Sequence, residues 1–305
     1  MRPPHLPFEE PPFRMILDVA KTPEKDWFEV GNDTERSFQM IEKERLLASR
    51  HADIFMADDR ALQASHETLE LMLKYLPTFW PDHYSRTENS LSLKSRRGFD
   101  GGEYPIKSTL EKFHSLDLAA RLVQEDLVIM LPPNPQEAKK EWWLGAGSVT
   151  FPSRWKLKEK FGKPMSEIHA PVPFYDINLE SSVNRFFDFM PTERIFSRRN
   201  WSIHDMPTLF QDGSENENGV SITPDNVGDL LWLRVERQTL RKLPKTGVIL
   251  FTIRIHLRRL DEIVAIEGTT ERLCNALKVL PSEMQSYKRT DQFAEALQTY
   301  LQNRK

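Results

Sequence analysis

The sequence predicts an α+β fold in which a five-stranded antiparallel sheet is flanked by helices. Five short segments are rich in β-branched and aromatic residues, which pack well on a pleated surface. Segments with helical spacing of apolar residues concentrate before and after these five. The strands do not alternate regularly with helices, as they would in a parallel sheet, and two of them are joined by a hairpin turn. Together these observations favour an antiparallel sheet.

The N-terminal residues 1–30 are predicted to form an extended arm, because prolines recur where a leader peptide would need an apolar helix. Helical spacing then predicts a helix over Thr34–Ser49. A second helix is expected to begin at Asp58 or Asp59 and to end at Pro77 and Pro81. The polar stretch Arg86–Gly102 is expected to be a loop.

The remaining elements follow from short apolar runs and helical stripes. The predicted strands are Asp126–Leu131, Trp142–Phe151, Arg194–Ile203, Leu230–Leu240 and Val248–Ile255. The further predicted helices are Leu116–Gln124, Trp155–Phe161, Ser181–Met190, Thr269–Leu280 and Asp291–Gln302. We therefore expect one α+β domain over residues 31–305, with a helical part at 31–124, a core containing the sheet at 125–260 and C-terminal helices at 265–305.

The last two strands form a hairpin over Leu230–His256, with the turn at Pro244–Gly247. Because successive strand residues point to opposite faces, Arg234, Glu236 and Gln238 share one polar face. That face is either a functional site or a ladder of cross-strand ion pairs in which Glu236 faces Arg254. The residues alone favour the ladder, in which each pair contributes roughly a few tenths of a kcal/mol.

Composition limits the possible functions. The 305 residues carry a net charge of −3, so no general basic field would recruit nucleic acid. The single cysteine, Cys274, excludes an internal disulfide, a four-cysteine zinc site and a four-cysteine iron–sulfur cluster. No apolar run approaches the length of a membrane span. We expect a soluble, cytoplasmic protein.

A histidine between prolines is the clearest candidate ligand. His169 lies in IHAPVP, where Pro171 and Pro173 make the loop rigid. One rigid histidine can bind haem iron from one side, and arginines can hold the haem propionates. The arginines that three neighbouring strands would bring together are Arg194, Arg198, Arg199, Arg234, Arg237 and Arg254. On the residues alone, a loop histidine bonded to backbone, with arginines paired to carboxylates, remains the favoured alternative.

Several stretches together resemble the alpha subunit of the haem-dependent oxidative N-demethylases. They are LVQEDLVIM (122–130), FPSRWKLKEKFG (151–162), IHAPVP (168–173), RRNWSI (198–203), DWFEVGNDTERSFQMIEKERLL (26–47) and the long motif LRVERQTLRKLPKTGVILFTIR (233–254). The resemblance implies a PAS-like sheet that binds haem b. It also implies that a small secondary amine such as dimethylamine is oxidised with O2, which releases formaldehyde.

The resemblance also implies roles for individual residues. His169 would be the axial ligand, with His204 and His256 as the next candidates. Glu236 would be catalytic and would bind the substrate. The other expected contacts are Gln238 and Trp201 to the substrate, and Arg194, Arg198 and Arg237 to the cofactor.

Electrons would come from a separate flavin or iron–sulfur reductase subunit, since this chain has neither a dinucleotide-binding motif nor enough cysteines for a cluster. Two other functions remain open at this point. One is a non-catalytic PAS-like haem sensor or carrier, and the other is a haem-free interaction domain.

Overall fold

The computed structural model describes residues 6–8, 12–94, 100–134, 136, 140–214 and 220–304. The strands among these residues are β1 Ala20–Thr22, β2 Phe55–Ala57, β3 Tyr84–Arg86, β4 Ser90–Leu93, β5 Gly102–Pro105, β6 Asp126–Leu131, β7 Trp143–Ser148, β8 Ile195–His204, β9 Trp232–Lys242 and β10 Ile249–Arg259.

The α-helices are α1 Asp33–Ile54, α2 Leu62–Phe79, α3 Ile106–Leu110, α4 Ser115–Arg121, α5 Leu157–Lys160, α6 Met165–Ile168, α7 Tyr175–Asn178, α8 Glu180–Phe189, α9 Val227–Leu230, α10 Leu260–Val264, α11 Thr269–Lys278, α12 Ser282–Tyr287 and α13 Ala294–Gln302. Short 3-10 helices cover Glu24–Asp26, Asp59–Ala61 and Thr290–Phe293. No helix in the described ranges has both the length and the apolar character needed to cross a membrane.

The main sheet has seven strands in the order β1-β8-β9-β10-β6-β7-β2, and every neighbouring pair is antiparallel. The predicted α+β class is confirmed, but the prediction of a five-stranded PAS-like sheet is wrong. The five predicted strands occupy the middle of the sheet, and a three-residue strand is added at each edge. Segments of three residues are too short for their periodicity to identify them as strands.

Two local predictions also need correction. The predicted loop Arg86–Gly102 contributes to a second sheet, in which β4 pairs with both β3 and β5. Helix α2 does not end at Pro77 but continues to Phe79. A proline inside a helix leaves the carbonyl four residues earlier without its usual partner. Here the carbonyl of Leu73 accepts a hydrogen bond from Arg86 Nη1 at 3.2 Å, which satisfies that group.

The β9–β10 hairpin is the longest pair in the sheet and has the predicted turn. Gly247 adopts φ +69°, a conformation that glycine accepts without strain. The carboxylate of Glu67, on α2, accepts hydrogen bonds from the backbone nitrogens of Lys245 (2.7 Å) and Thr246 (2.9 Å). A helix from the N-terminal part of the chain therefore holds the turn in place.

Both faces of this hairpin are covered. We call one the Glu236 face, which carries the even-numbered residues of β9 and the odd-numbered residues of β10, since Glu236 lies opposite Ile255. The other is the Arg237 face, on which Arg237 lies opposite Arg254. Helices α5 to α8 pack over the Glu236 face, and the start of α1 with the segment before it packs over the Arg237 face.

Candidate functional site

His169 lies at the end of α6, a helix of only four residues that begins after Pro164. The backbone nitrogen of His169 donates to Met165 O at 3.1 Å, and the carbonyl of His169 accepts from Val172 N at 2.8 Å. The prediction that this histidine lies at a helix end or on a rigid loop is thus confirmed, since it follows the last residue of α6. Met165 and the adjacent Ile168 pack in the same apolar cluster as Leu240 of β9, so His169 is held above the Glu236 face.

One of the two imidazole nitrogens of His169 is hydrogen-bonded. Nδ1 lies 3.0 Å from Met165 O, and because a carbonyl only accepts, Nδ1 carries the proton and donates. The pKa of His169 is lowered to about 4, chiefly by burial. The positive charges of Lys160 and Arg198 also lower it, and the hydrogen bond with the Met165 carbonyl raises it. The ring is therefore neutral near pH 7, with the lone pair on Nε2. A neutral imidazole whose other nitrogen donates to a carbonyl is the usual form of a metal-ligating histidine.

The two alternative histidines are already engaged through both ring nitrogens. His204 bonds Gln211 Oε1 (2.7 Å) and Ser202 Oγ (2.6 Å). His256 contacts the carboxylates of Glu29 (3.0 Å) and Glu35 (3.4 Å), on the Arg237 face. By contrast, Nε2 of His169 makes no hydrogen bond within the described part of the chain. Of the three, His169 is the one with a ring nitrogen available to a ligand.

Glu236 is half-buried on the same side of the sheet as His169. Its Oε2 accepts a hydrogen bond from Gln238 Nε2 at 3.0 Å. The residues opposite Glu236 on the neighbouring strands are Ile255 and Asn200, and no cation lies within 4.0 Å of its carboxylate among the described residues. The expected ladder with Arg254 is therefore wrong, because Arg254 projects from the opposite face of β10.

Two side chains not foreseen from the sequence lie near Glu236. Burial lowers the pKa of Lys160, at the end of α5, and the Glu236 carboxylate opposes that shift. The Lys160 ammonium also lies 4.4 Å from the centre of the Trp155 ring. Burial and the charge of Glu236 raise the pKa of Tyr287, which comes from α12. A lysine in a four-residue helix and a tyrosine in a distant C-terminal helix give no sequence signal, because only tertiary packing brings them to this face.

The predicted arginines divide between the two faces. Arg198 lies opposite Gln238, on the Glu236 face, and its charge lowers the pKa of His169. Arg194 is exposed, immediately before β8. Arg237 lies on the other face, where its guanidinium donates to the carbonyls of Trp27 (3.3 Å) and Asp26. Strand alternation predicts that the adjacent residues Arg237 and Glu236 point to different faces of the sheet, and the structure confirms this.

Trp201 also lies on the opposite face of the sheet from Glu236. It lies opposite Val235, on the Arg237 face of the sheet, and its ring packs edge-on against Phe8 with ring centres 5.3 Å apart. The structure thus brings together His169, Glu236, Gln238 and Arg198 but places Trp201 and Arg237 behind the sheet.

A haem group requires one axial ligand, an apolar slot and cations for two propionates. The Glu236 face offers the available Nε2 of His169 and the cations Lys160 and Arg198. The apolar side chains packed beside His169 belong to one cluster, which includes Met165, Ile168, Leu240, Ile249, Phe196 and Phe251. The described residues include no group of three or more His, Cys, Asp or Glu side chains that could hold a bare metal ion. Because haem iron needs only one protein ligand, the donor set of one histidine nitrogen and two nearby cations fits haem.

A separate cleft of about 790 Å³ lies between α2, the end of β6 and the hairpin turn. Neither His169 nor Glu236 lines it. Several of its polar groups are engaged with one another: Lys245 pairs with Glu70 at 2.7 Å, and Glu67 binds the hairpin turn. We therefore place the candidate site at His169 and not in this cleft.

A comparison with known protein families gives a match over most of the chain. A family model described as "Haem-dependent oxidative N-demethylase, alpha subunit-like" matches residues 18–298, which is nearly the whole chain. That description indicates a haem-dependent oxidoreductase, and "alpha subunit" implies that further subunits accompany it. The chain belongs to the haem-dependent oxidative N-demethylase alpha-subunit-like family.

Proposed function

We propose that this protein binds haem b through His169 and catalyses the oxidative N-demethylation of a small secondary amine such as dimethylamine. The observation that carries the proposal is the Nε2 atom of His169. The imidazole ring is neutral near pH 7, and its Nε2 makes no hydrogen bond within the described residues. The ring lies on the same side of the sheet as Glu236. The family description supports the same chemistry.

The overall reaction consumes the amine, O2, two electrons and two protons, and it yields the demethylated amine, formaldehyde and water. Haem, when bound, supplies the activation of O2 and the oxidation of the methyl carbon. A secondary amine is protonated in water near pH 7. The protein must therefore bind an ammonium and then remove its proton. We assign both tasks to Glu236, because a carboxylate accepts N–H hydrogen bonds from an ammonium and can take its proton.

Gln238 holds the Glu236 carboxylate in one orientation through its 3.0 Å hydrogen bond. This leaves Oε1 of Glu236 for the substrate. The half-buried environment excludes part of the solvent, which strengthens a carboxylate–ammonium contact relative to water. Lys160 and Arg198 are the cations on this face that can pair with propionates, and Arg194 can add a further charge from the exposed end of β8.

The electrons have to come from another protein. The chain has one cysteine and no dinucleotide-binding motif, which supports a separate flavin or iron–sulfur reductase subunit as the donor. The same low cysteine count supports a reducing compartment, and we propose the cytoplasm.

The test begins with the absorption spectrum of the purified protein after haem is supplied. We expect a Soret band that shifts when dimethylamine is added, and formaldehyde when the reduced protein is exposed to air. Glu236→Gln should keep the haem band and lose both the amine-induced shift and formaldehyde release. Glu262→Gln, which alters an exposed carboxylate on α10, is the matched control and should behave like the wild type.

Two results would contradict the proposal. Absence of a haem band would exclude both the enzyme and the alternative haem sensor or carrier. If amines do not shift the haem band and the reduced protein yields no formaldehyde, the sensor or carrier is favoured instead.

A further inference from the structure

The imidazole of His169 is stacked on the ring of Tyr175. The two ring centres are 4.4 Å apart and the planes differ by 13°. Tyr175 is the first residue of α7, and only 4% of its surface is exposed. With Nδ1 hydrogen-bonded to Met165 O at 3.0 Å and one ring face against Tyr175, the imidazole is fixed both in position and in plane. Nε2 is the ring nitrogen left available.

A short, tightly turned segment brings Tyr175 back over His169. Val172 N donates to His169 O at 2.8 Å, and Tyr175 N donates to Val172 O at 3.3 Å. Phe174, between them, has φ 65° and ψ 9°, which is the left-handed region that bulky residues rarely adopt. A strained residue persists where the surrounding structure requires it, and such positions are enriched near functional sites. The strained backbone at Phe174 is therefore part of what places Tyr175.

The hydroxyl of Tyr175 does not explain why a tyrosine is buried here. Its oxygen is buried and makes no hydrogen bond to any described residue. Burial raises the pKa of this phenol, and the nearby carboxylates of Glu180 and Glu141 raise it further, so the group is neutral near pH 7. Loss of an unpaired buried hydroxyl costs little, because no satisfied hydrogen bond is broken. What Tyr175 contributes is its flat ring.

We propose that Tyr175 is the positioning residue for His169, and that its ring holds the imidazole plane so that Nε2 is presented to the haem iron. Tyr175 itself does not have to touch the iron or the amine. This inference rests on the proposed function, since it assumes that His169 is the axial ligand. Mutation of the groups that orient a metal-ligating histidine commonly lowers metal affinity or activity by 10- to 100-fold.

Three variants separate the ring from the hydroxyl and from general packing. Tyr175→Phe keeps the ring and removes only the unpaired hydroxyl. Tyr175→Met fills the same space with a flexible side chain that cannot stack. Phe293→Leu, at the end of the last 3-10 helix, is the packing control, because Phe293 is equally buried but lies in a different apolar cluster, which includes Val235 on the Arg237 face. In each variant, haem affinity and the Soret spectrum are measured by titration with haem.

A second readout needs no haem. In the free protein, the carbon-bound protons of the His169 ring should show an upfield NMR shift caused by the ring current of Tyr175. We expect the wild type, Tyr175→Phe and Phe293→Leu to retain this shift, and Tyr175→Met to lose it. Haem affinity should fall by roughly tenfold or more in Tyr175→Met and stay near wild type in the other two.

The outcomes keep the two proposals apart. If His169→Ala leaves the haem spectrum unchanged, the assignment of the axial ligand fails and the positioning role fails with it. If His169→Ala abolishes that spectrum while Tyr175→Met binds haem as tightly as the wild type, only the role of Tyr175 is overturned. Should Tyr175→Met fail to fold, the NMR shift in the wild type and in Tyr175→Phe decides, and its absence from the wild type overturns the inference.

Discussion

Glu236 and Arg237 are neighbours on β9, yet their two faces of the sheet are built in different ways. On the Arg237 face, the arginines are bonded to other parts of the chain: Arg254 bonds the Gln39 side chain and Glu35 (3.1 Å), and Arg237 bonds two backbone carbonyls. On the Glu236 face, the Glu236 carboxylate has one hydrogen-bond partner among the described residues, the Gln238 amide. Buried charges that are fully paired hold a structure together, whereas groups left with spare capacity can bind something else.

The largest effect should come from breaking the charge network of the Arg237 face. Arg254 is fully buried, and its removal would take one charged hydrogen-bond donor from each of Glu35, Gln39 and the carbonyl of Ile255. Truncating one member of a buried ion pair costs about 3–5 kcal/mol. We expect Arg254→Ala to lose that much free energy of unfolding in urea titrations. Glu236→Gln, on the other face, should change it by less than about 1 kcal/mol.

The same network should make stability depend on pH. Burial alone would raise the pKa of Glu35, but the hydrogen bond from His256 and the charges of Arg254, His256 and Arg258 lower it from 4.5 to about 2. Because the folded pKa is below the unfolded one, the stabilisation is present above about pH 4.5 and is lost as the pH falls towards 2. It amounts to about 3 kcal/mol. Urea titrations across this range should show the loss, and Glu35→Gln should flatten it.

The two predicted cofactor arginines provide a direct comparison of the faces. Arg237→Met should cost about 3 kcal/mol of stability, because it removes the ion pair with Glu29 and the donor to two backbone carbonyls. Arg198→Met should change stability much less but weaken haem binding by about tenfold, the loss of one charge-assisted contact. Urea titration and haem titration of both variants measure the contrast. The reverse pattern would place the cofactor behind the sheet.

The smallest expected effect concerns the hydrogen bond between Gln238 and the Glu236 carboxylate. Gln238→Leu removes the 3.0 Å hydrogen bond that orients the carboxylate. We expect dimethylamine to perturb the haem spectrum at a concentration several-fold higher than in the wild type, as the loss of one hydrogen bond worth about 1 kcal/mol predicts. Haem affinity itself should not change. A wild-type amine response in this variant would show that Glu236 needs no orientation by Gln238.

Much of the fold follows from local patterns in the sequence. The strand Asp126–Leu131 was predicted to the residue, because proline follows it and its apolar run is uninterrupted. The hairpin also formed with the predicted turn and side-chain alternation. The missed elements are short: β1 and β2 have three residues each and exist because neighbouring strands offer them hydrogen-bond partners.

The site could be predicted only in part, for the same physical reason. Prolines mark His169 as rigid, and strand alternation groups Glu236 with Gln238. Neither pattern reveals that Lys160 reaches this face, that Tyr175 folds back onto His169, or that both nitrogens of His256 are engaged. These contacts depend on how separate elements pack. The prediction that Trp201 and Glu236 contact the same substrate depends on the register between β8 and β9. In the observed register Trp201 lies opposite Val235 and therefore points to the other face of the sheet.

The central claim is that the Glu236 face, and not the Arg237 face, carries the haem site. The most direct measurement compares the absorption spectra of His169→Ala and His256→Ala after haem is supplied. Our account predicts that His169→Ala loses the ligated-haem spectrum while remaining folded, and that His256→Ala, if it folds, keeps the wild-type spectrum. A wild-type spectrum in His169→Ala, or its loss in a folded His256→Ala, would contradict the account.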